Sequence, residues 1–311
     1  MAARPSVLMV FTGGTISMRV VPGRGAVPAS GGREILDAVP GLADIASVTF
    51  EDFDRLPGPH WTPSRMLDLA RRLDDRLDGG EFAGAVVTHG TDTIEETAYL
   101  LDLVLRAEVP VVLTGAMKTA DDPRWDGPAN LRDSVAAVTR LAGEGGGVWV
   151  AMHGALYPAR TVRKVHTDAF DAFTASAAAG APRERIATDR LEERVDLVTA
   201  AVGADARFLR HAVATGAKGI VVEAMGRGNV PPAMLDGVRE AAAAGIPVVV
   251  ASRCAEGGTS PRYGYEGGGV TLAASGAVFA GDLTPPQARV KLMALLGSGA
   301  DLAAVRAAFE R

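Results

Sequence analysis

The chain has 311 residues, 48% of them apolar and 22% charged, and a formal net charge of -5 at pH 7; that length can bury a large core and exceeds most single domains. Lys and Arg are spread along it without a basic block, which argues against a nucleic-acid or membrane surface as the main partner. The only cysteine, Cys254, leaves no internal disulfide, Cys-rich zinc site or Cys-pair redox centre, and its place after a strand-like run predicts a buried structural thiol.

The first apolar run, 6–11, is broken by Gly13 and Gly14. It reads as a strand, too short for the core of a signal peptide or for a membrane span, so the expected location is the cytoplasm. Similar runs at 83–87, 109–113, 147–152, 218–222 and 246–251 read as strands buried on both faces of a parallel sheet. Between them lie amphipathic helices. One has Thr62 as N-cap, Pro63 in its first turn and Met66, Leu67, Ala70, Leu73 and Leu77 on one face. Others are expected at 96–106, 129–141, 231–244, 285–296 and 302–309, and Gly245 stands where a helix C-terminal glycine belongs. Alternating strands and helices predict an α/β fold whose ligands bind beyond the carboxyl ends of the strands. A charged cluster at 183–194 marks the expected boundary. Residues 1–190 then form a larger N-terminal parallel-sheet domain, 191–206 a linker with room for a short strand at 196–201, and 207–311 a smaller C-terminal α/β domain. The stretch 175–181 is rich in small residues.

Two segments carry the candidate chemistry. Thr12-Gly13-Gly14-Thr15-Ile16 follows the first strand directly, so its glycines can turn the backbone close to a ligand and present Thr15 at the strand's carboxyl end. Such a turn could equally cradle a phosphate, but the third glycine of a dinucleotide fingerprint is missing. The second segment, Thr88-His89-Gly90-Thr91-Asp92-Thr93-Ile94-Glu95-Glu96-Thr97-Ala98, lies between a buried strand and a helix. Asp92 or Thr93 could serve only as a helix cap, yet three hydroxyls and a carboxylate in one turn exceed what capping needs. The histidines His60, His89, His153, His166 and His211 show no metal-ligand spacing, and no Gly-x-Ser-x-Gly elbow is present.

These two segments resemble the two signature motifs of the bacterial L-asparaginase and glutaminase family. Gly115-Ala116-Met117 followed by Asp126-Gly127-Pro128-Ala129-Asn130-Leu131 is similar to a third block of that family, and the spacing agrees over nearly the whole chain. The resemblance implies a two-domain amidohydrolase without a cofactor or metal, acting on a small-molecule amide, L-asparagine first, through a threonine acyl-enzyme. It further implies Thr15 as nucleophile, Thr91 as second catalytic threonine, Lys164 as its activator and Asp92 as the anchor for the substrate's ammonium group. Those roles agree with elementary chemistry, since a threonine hydroxyl attacks only once a base takes its proton. Backbone amides of the Gly90–Asp92 turn and near Ala116 could stabilise the oxyanion. Gly14, Gly58, Pro59, His60, Gly90 and Ala116 would line the substrate. A homodimer or homotetramer is implied, with 253–265 reaching a neighbouring subunit's site.

Two departures from the family pattern concern the substrate. The loop after the first motif, 17–30, contains Arg19 and Arg24 but lacks the tyrosine that helps activate the first threonine. The Ser-Gln pair that holds the substrate's α-carboxylate corresponds here to Leu56-Pro57-Gly58-Pro59-His60-Trp61, and Gly58 and Pro59 offer no side-chain donor. A site that loses such bonds discriminates less well, so another or modified amide, or ligand binding without turnover, stays open. His60, if partly protonated, or Arg24 could supply the carboxylate contact instead, and His60 could equally pack on Trp61.

Overall fold

The computed structural model describes residues 4–176 and 183–310, and they divide into two compact units, Met1–Arg185 and Ile186–Arg311. Most of the small-residue stretch 175–181 lies outside the described residues.

In the first unit the chain runs through β1 (Ser6–Gly13), β2 (Met18–Val21), β3 (Gly25–Pro28), α1 (Gly32–Asp37), α2 (Leu42–Ile45), β4 (Ser47–Leu56), α3 (Pro63–Leu77) and β5 (Gly84–Thr88). It continues with α4 (Ile94–Val104), β6 (Pro110–Thr114), α5 (Gly127–Leu141), β7 (Gly147–Met152), β8 (Ala155–Pro158), β9 (Val162–Lys164) and β10 (Phe173–Ala175). Six strands form one sheet in the order β4-β1-β5-β6-β7-β8. All neighbours are parallel except β7 and β8, so the sheet is mixed, where continuous apolar runs predicted a purely parallel one. The tight turn after Met152 explains the exception, because a two-residue connection can only reverse the chain. β1, β5 and β6 have almost no polar side chain before their last residues, and every residue of β5 and β6 is buried. Val7, Met9, Phe11, Val86 and Val112 pack with Leu131, Val135 and Val138 of α5; each such side chain, fully buried, contributes about 1.5–3 kcal/mol of transfer free energy. The N-cap expected at Thr62 is made, its hydroxyl accepting Arg65 N–H at 3.2 Å.

In the second unit the elements are β11 (Val195–Thr199), α6 (Arg207–Ala214), β12 (Gly219–Ala224), α7 (Pro232–Ala243), β13 (Val248–Ser252), α8 (Gly269–Ala274), β14 (Val278–Phe279), α9 (Pro285–Gly297) and α10 (Leu302–Phe309). The sheet is parallel throughout, in the order β11-β12-β13-β14. Val198, Val222 and Val250 pack there with Leu209 of α6 and Met234, Leu235 and Val238 of α7. The segment 191–206, expected to be a linker with room for a short strand at 196–201, carries β11 in register with β12. Gly245 follows α7 with φ 75°, the left-handed geometry that ends a helix. Cys254 is exposed, which corrects the buried thiol expected from its neighbours: it lies just past the end of β13, where the chain has left the core. Among the described residues no helix is long and apolar enough to cross a membrane.

Candidate active site

The carboxyl ends of three adjacent strands, β1, β5 and β6, deliver three turns to one place. β1 ends at Gly13, and Thr15 opens a single 3-10 turn, Thr15–Ser17. Gly14 has φ 82°, and a Cβ there would lie 2.6 Å from Gly90 N. Both facts require glycine, because the left-handed region is costly for other residues and the approach leaves no space for a methyl group. Ser17 locks the turn by donating from N and Oγ to Gly14 O (3.0 and 2.9 Å). Thr12 N–H donates to Thr88 Oγ1 at 3.1 Å, tying the end of β1 to the end of β5. The first threonine turn is thereby set against the second.

In the second turn His89 N–H donates to Thr114 O at 2.7 Å, and its fully buried ring lies between Gly90 O on Nδ1 (2.9 Å) and Thr97 Oγ1 on Nε2 (3.0 Å). Those partners suit a neutral ring donating from Nδ1 and accepting at Nε2. Burial pushes its pKa from the usual 6.5 down to about 4, with the Gly90 carbonyl opposing. Trp61 covers the ring with centroids 4.5 Å apart, so Trp61 packs on His89, while His60 is exposed. The capping-only reading of the turn does not hold. α4 has no side-chain cap; Thr93 Oγ1 donates to Gly58 O at 3.1 Å, and the Asp92 carboxylate points to a lysine.

That lysine is Lys164, the last residue of β9. Its Nζ lies 2.8 Å from Thr91 Oγ1 and 2.6 Å from Asp92 Oδ1. Thr91 is only 5% exposed, the Lys164 side chain 15%, and the Asp92 side chain 64%. A hydroxyl, an amine and a carboxylate in a chain of short contacts, withdrawn from water on one side and open on the other, can pass a proton to and from the hydroxyl. The Lys164 main-chain N–H donates to Glu95 Oε2 at 2.8 Å, and burial raises the Glu95 pKa, against the pull of that N–H.

The third turn follows β6. Ala116 is fully buried. Asp126 accepts the N–H groups of Met117 and Lys118 at 3.0 Å, and Asn130 Nδ2 donates to Gly115 O (3.0 Å) and Asp126 Oδ2 (2.9 Å). The amides of Met117 and Lys118 are therefore committed to Asp126. Gly58 is buried with its backbone against Gly90, where an added Cβ would come within 2.7 Å of Gly58 Cα; Pro59 is exposed beside it. The loop at 17–30 is the β2–β3 hairpin, with Met18 opposite Pro28 and Val21 opposite Gly25. It is pinned by Ala120 N–H to Met18 O (2.9 Å), Val20 N–H to Asp121 Oδ2 (3.0 Å) and an Arg19–Glu34 ion pair. Arg24 is exposed at its tip.

Gly14, Gly58, Gly90, Thr91, Asp92 and Lys164 thus meet, with Thr15 beginning at the same junction. Sequence reading did not assign roles to Glu95, Asp126 and Asn130. Glu95 lies in the first turn of α4, three residues after Asp92; a carboxylate so close to the candidate catalytic turn was the available signal. Among the described residues no group of three or more His, Cys, Asp or Glu is placed to hold a metal ion.

The fold is that of a two-domain α/β enzyme with its candidate site at the carboxyl ends of the strands. The chain belongs to the asparaginase family: residues 6–192 match the family model described as Asparaginase, N-terminal, and residues 194–309 the one described as Glutaminase/Asparaginase C-terminal domain. It is 40% identical to a probable L-asparaginase of Deinococcus radiodurans, covering 99% of this chain and 98% of that one. It is 33% identical to an L-asparaginase of Bacillus licheniformis, covering 94% and 95%. Its structure is similar to the crystal structure of a probable cytoplasmic L-asparaginase from Campylobacter jejuni, with a TM-score of 0.86, 28% identity and 99% of both chains covered.

Proposed function

We propose that this chain hydrolyses L-asparagine to L-aspartate and ammonia at the cluster of Thr15, Thr91, Asp92 and Lys164. The observation that carries this reading is the placement of Lys164 Nζ 2.8 Å from Thr91 Oγ1 and 2.6 Å from Asp92 Oδ1. Thr15 Oγ1 attacks the side-chain amide carbon, and its proton enters the Thr91–Lys164 relay. The relay returns a proton to the departing nitrogen as the C–N bond breaks, so that ammonia leaves. Water then attacks the Thr15 ester, and the relay takes and returns a proton as aspartate departs. Amides of the Gly90–Asp92 turn and of Ala116 receive the oxyanion. The exposed side of the Asp92 carboxylate takes the substrate's ammonium group. Gly14, Gly58, Pro59, His60 and Gly90 form the wall around it. No cofactor takes part.

The enzyme acts on a small molecule in the cytoplasm, the location named for the Campylobacter relative, as a homodimer or homotetramer. Support for a subunit contact near 253–265 comes from Tyr263 and Tyr265, which stack at 5.7 Å and are 42% and 56% exposed. A second reading, a different or modified amide, is favoured by one observation: Gly58 and Pro59 present no side-chain donor to an α-carboxylate. Ammonia release from L-asparagine, L-glutamine, D-asparagine and simple amides, by wild type and by Thr15→Ala, Thr91→Val and Lys164→Met, tests both. Asparagine turnover lost in all three variants supports the first reading; turnover of a decarboxylated amide in preference to asparagine supports the second. Ammonia from none of them refutes asparagine hydrolysis and points to a changed substrate or to ligand binding without turnover.

A further inference from the structure

Lys164 sits on a small element. β9 and β10 form a two-stranded antiparallel ladder of three residues each, and an isolated pair of strands is marginal by itself. In such a ladder alternate residues bond the partner strand. Here Ser176 N–H donates to Thr161 O (3.0 Å) and Val165 N–H to Ala172 O (2.7 Å), with Arg163 opposite Thr174 and Lys164 opposite Phe173. By this alternation the main-chain groups of Lys164 face away from β10. The N–H on that open side meets Glu95 Oε2 at 2.8 Å, where a further strand would otherwise stand.

Glu95 belongs to the first turn of α4, directly after the turn that carries Thr91 and Asp92. One short segment therefore grips Lys164 at both ends: Thr91 and Asp92 at Nζ, Glu95 at the backbone. The side chain of lysine is long and freely rotating, so contacts at Nζ do not by themselves fix the backbone position of Lys164. A carboxylate kept largely out of water is costly unless its oxygens are bonded, and this one spends an oxygen on the residue that reaches the reacting hydroxyl.

We propose that Glu95 is a positioning residue for the amidohydrolase reaction, holding the main chain of Lys164 so that its Nζ stays in register with Thr91 and Asp92. The proposal rests on the role given to Lys164 above. It is tested in the full-length protein by steady-state ammonia release from L-asparagine for Glu95→Ala, Glu95→Gln and Lys164→Met, with melting temperatures measured alongside. Misplacing a catalytic group by an ångström costs about 10²-fold, so Glu95→Ala should lose about that factor in kcat with KM within about twofold of wild type. Glu95→Gln, whose amide oxygen can still accept the N–H, should recover to within about fivefold of wild type. Wild-type kcat in Glu95→Ala overturns the proposal. So does a Glu95→Gln enzyme as slow as Glu95→Ala, which would assign the effect to the lost charge. If Glu95→Ala does not fold, Glu95→Leu fills the volume without an acceptor and is read by the same criteria. Full activity in Lys164→Met would overturn the role of Lys164 itself. An inactive Lys164→Met beside a fully active Glu95→Ala overturns only the positioning.

Discussion

Acidification from pH 7 to 4 should weaken the turn beneath the active site through His89. In the folded chain this ring stays neutral down to about pH 4, against the usual 6.5, because burial removes the water that would solvate the imidazolium. The unfolded chain therefore binds more protons between those values, so stability falls as pH falls from 6.5 and levels off below 4. Each tenfold change in proton affinity is about 1.4 kcal/mol, which makes the loss about 3 kcal/mol, a large part of the roughly 5–15 kcal/mol that holds a protein folded. Asp102 works in the opposite sense. Burial raises its pKa from 3.8 to about 6, only partly offset by Arg183. The folded state then holds the extra proton, and stability rises as pH falls through that window by a similar amount, roughly 3 kcal/mol. Wild type alone should thus show a shallow profile, and the His89 contribution emerges by difference from His89→Gln. Urea denaturation at steps from pH 7 to 4 is the assay, read by tryptophan fluorescence, since Trp61, Trp125 and Trp149 all belong to the first unit. The stability of wild type minus that of the variant should fall by about 3 kcal/mol across the range. A difference that stays constant to within about 1 kcal/mol would refute the buried neutral ring.

Thr91→Val and Lys164→Met should each lower kcat by about 10²–10⁴-fold, and the double variant should be hardly slower than either, because the two groups act as one relay; multiplying losses in a kcat comparison would separate their roles. Gly14→Ala should destabilise the first unit by about 3 kcal/mol, from a left-handed φ together with a Cβ pressed 2.6 Å from Gly90 N. An unchanged denaturation midpoint would show that the two turns are not held as described. Gly58→Ser should fold at a small cost, since its Cβ would lie 3.2 Å from Thr93 Oγ1, which must shift by a few tenths of an ångström while keeping its bond to Gly58 O. It should lower KM for asparagine about tenfold if its hydroxyl reaches the α-carboxylate; an unchanged KM would place the carboxylate elsewhere.

Much of the architecture was legible because its signals are local. Apolar runs bounded by Gly or polar residues marked β1, β5, β6, β7, β12 and β13, while Thr62, Pro63 and Gly245 marked helix ends. The two threonine turns were visible for the same reason, each lying within a few residues of its strand. β4 was missed because it is an edge strand with charged residues along it, among them Glu51, taken up by Arg72 and Arg76 of α3. β9 was missed because three residues carry no period. The Ser17–Ser30 loop hid a hairpin, two of whose anchors, Ala120 and Asp121, lie about a hundred residues away.

The residue types able to carry out amide hydrolysis, and the strand ends that present Thr15 and Thr91, were determined by the sequence itself, since a glycine turn after a buried strand acts over a handful of bonds. The pairing of Lys164 with Thr91 was implied by the family resemblance; tertiary structure decided the contact by which it is made across 73 residues, that Glu95 takes the Lys164 backbone N–H, and that His89 is sealed in as a neutral ring. A hydrogen bond or a desolvated ring depends on distance in space and on what excludes water, and for groups so far apart along the chain only the packed sheet sets both.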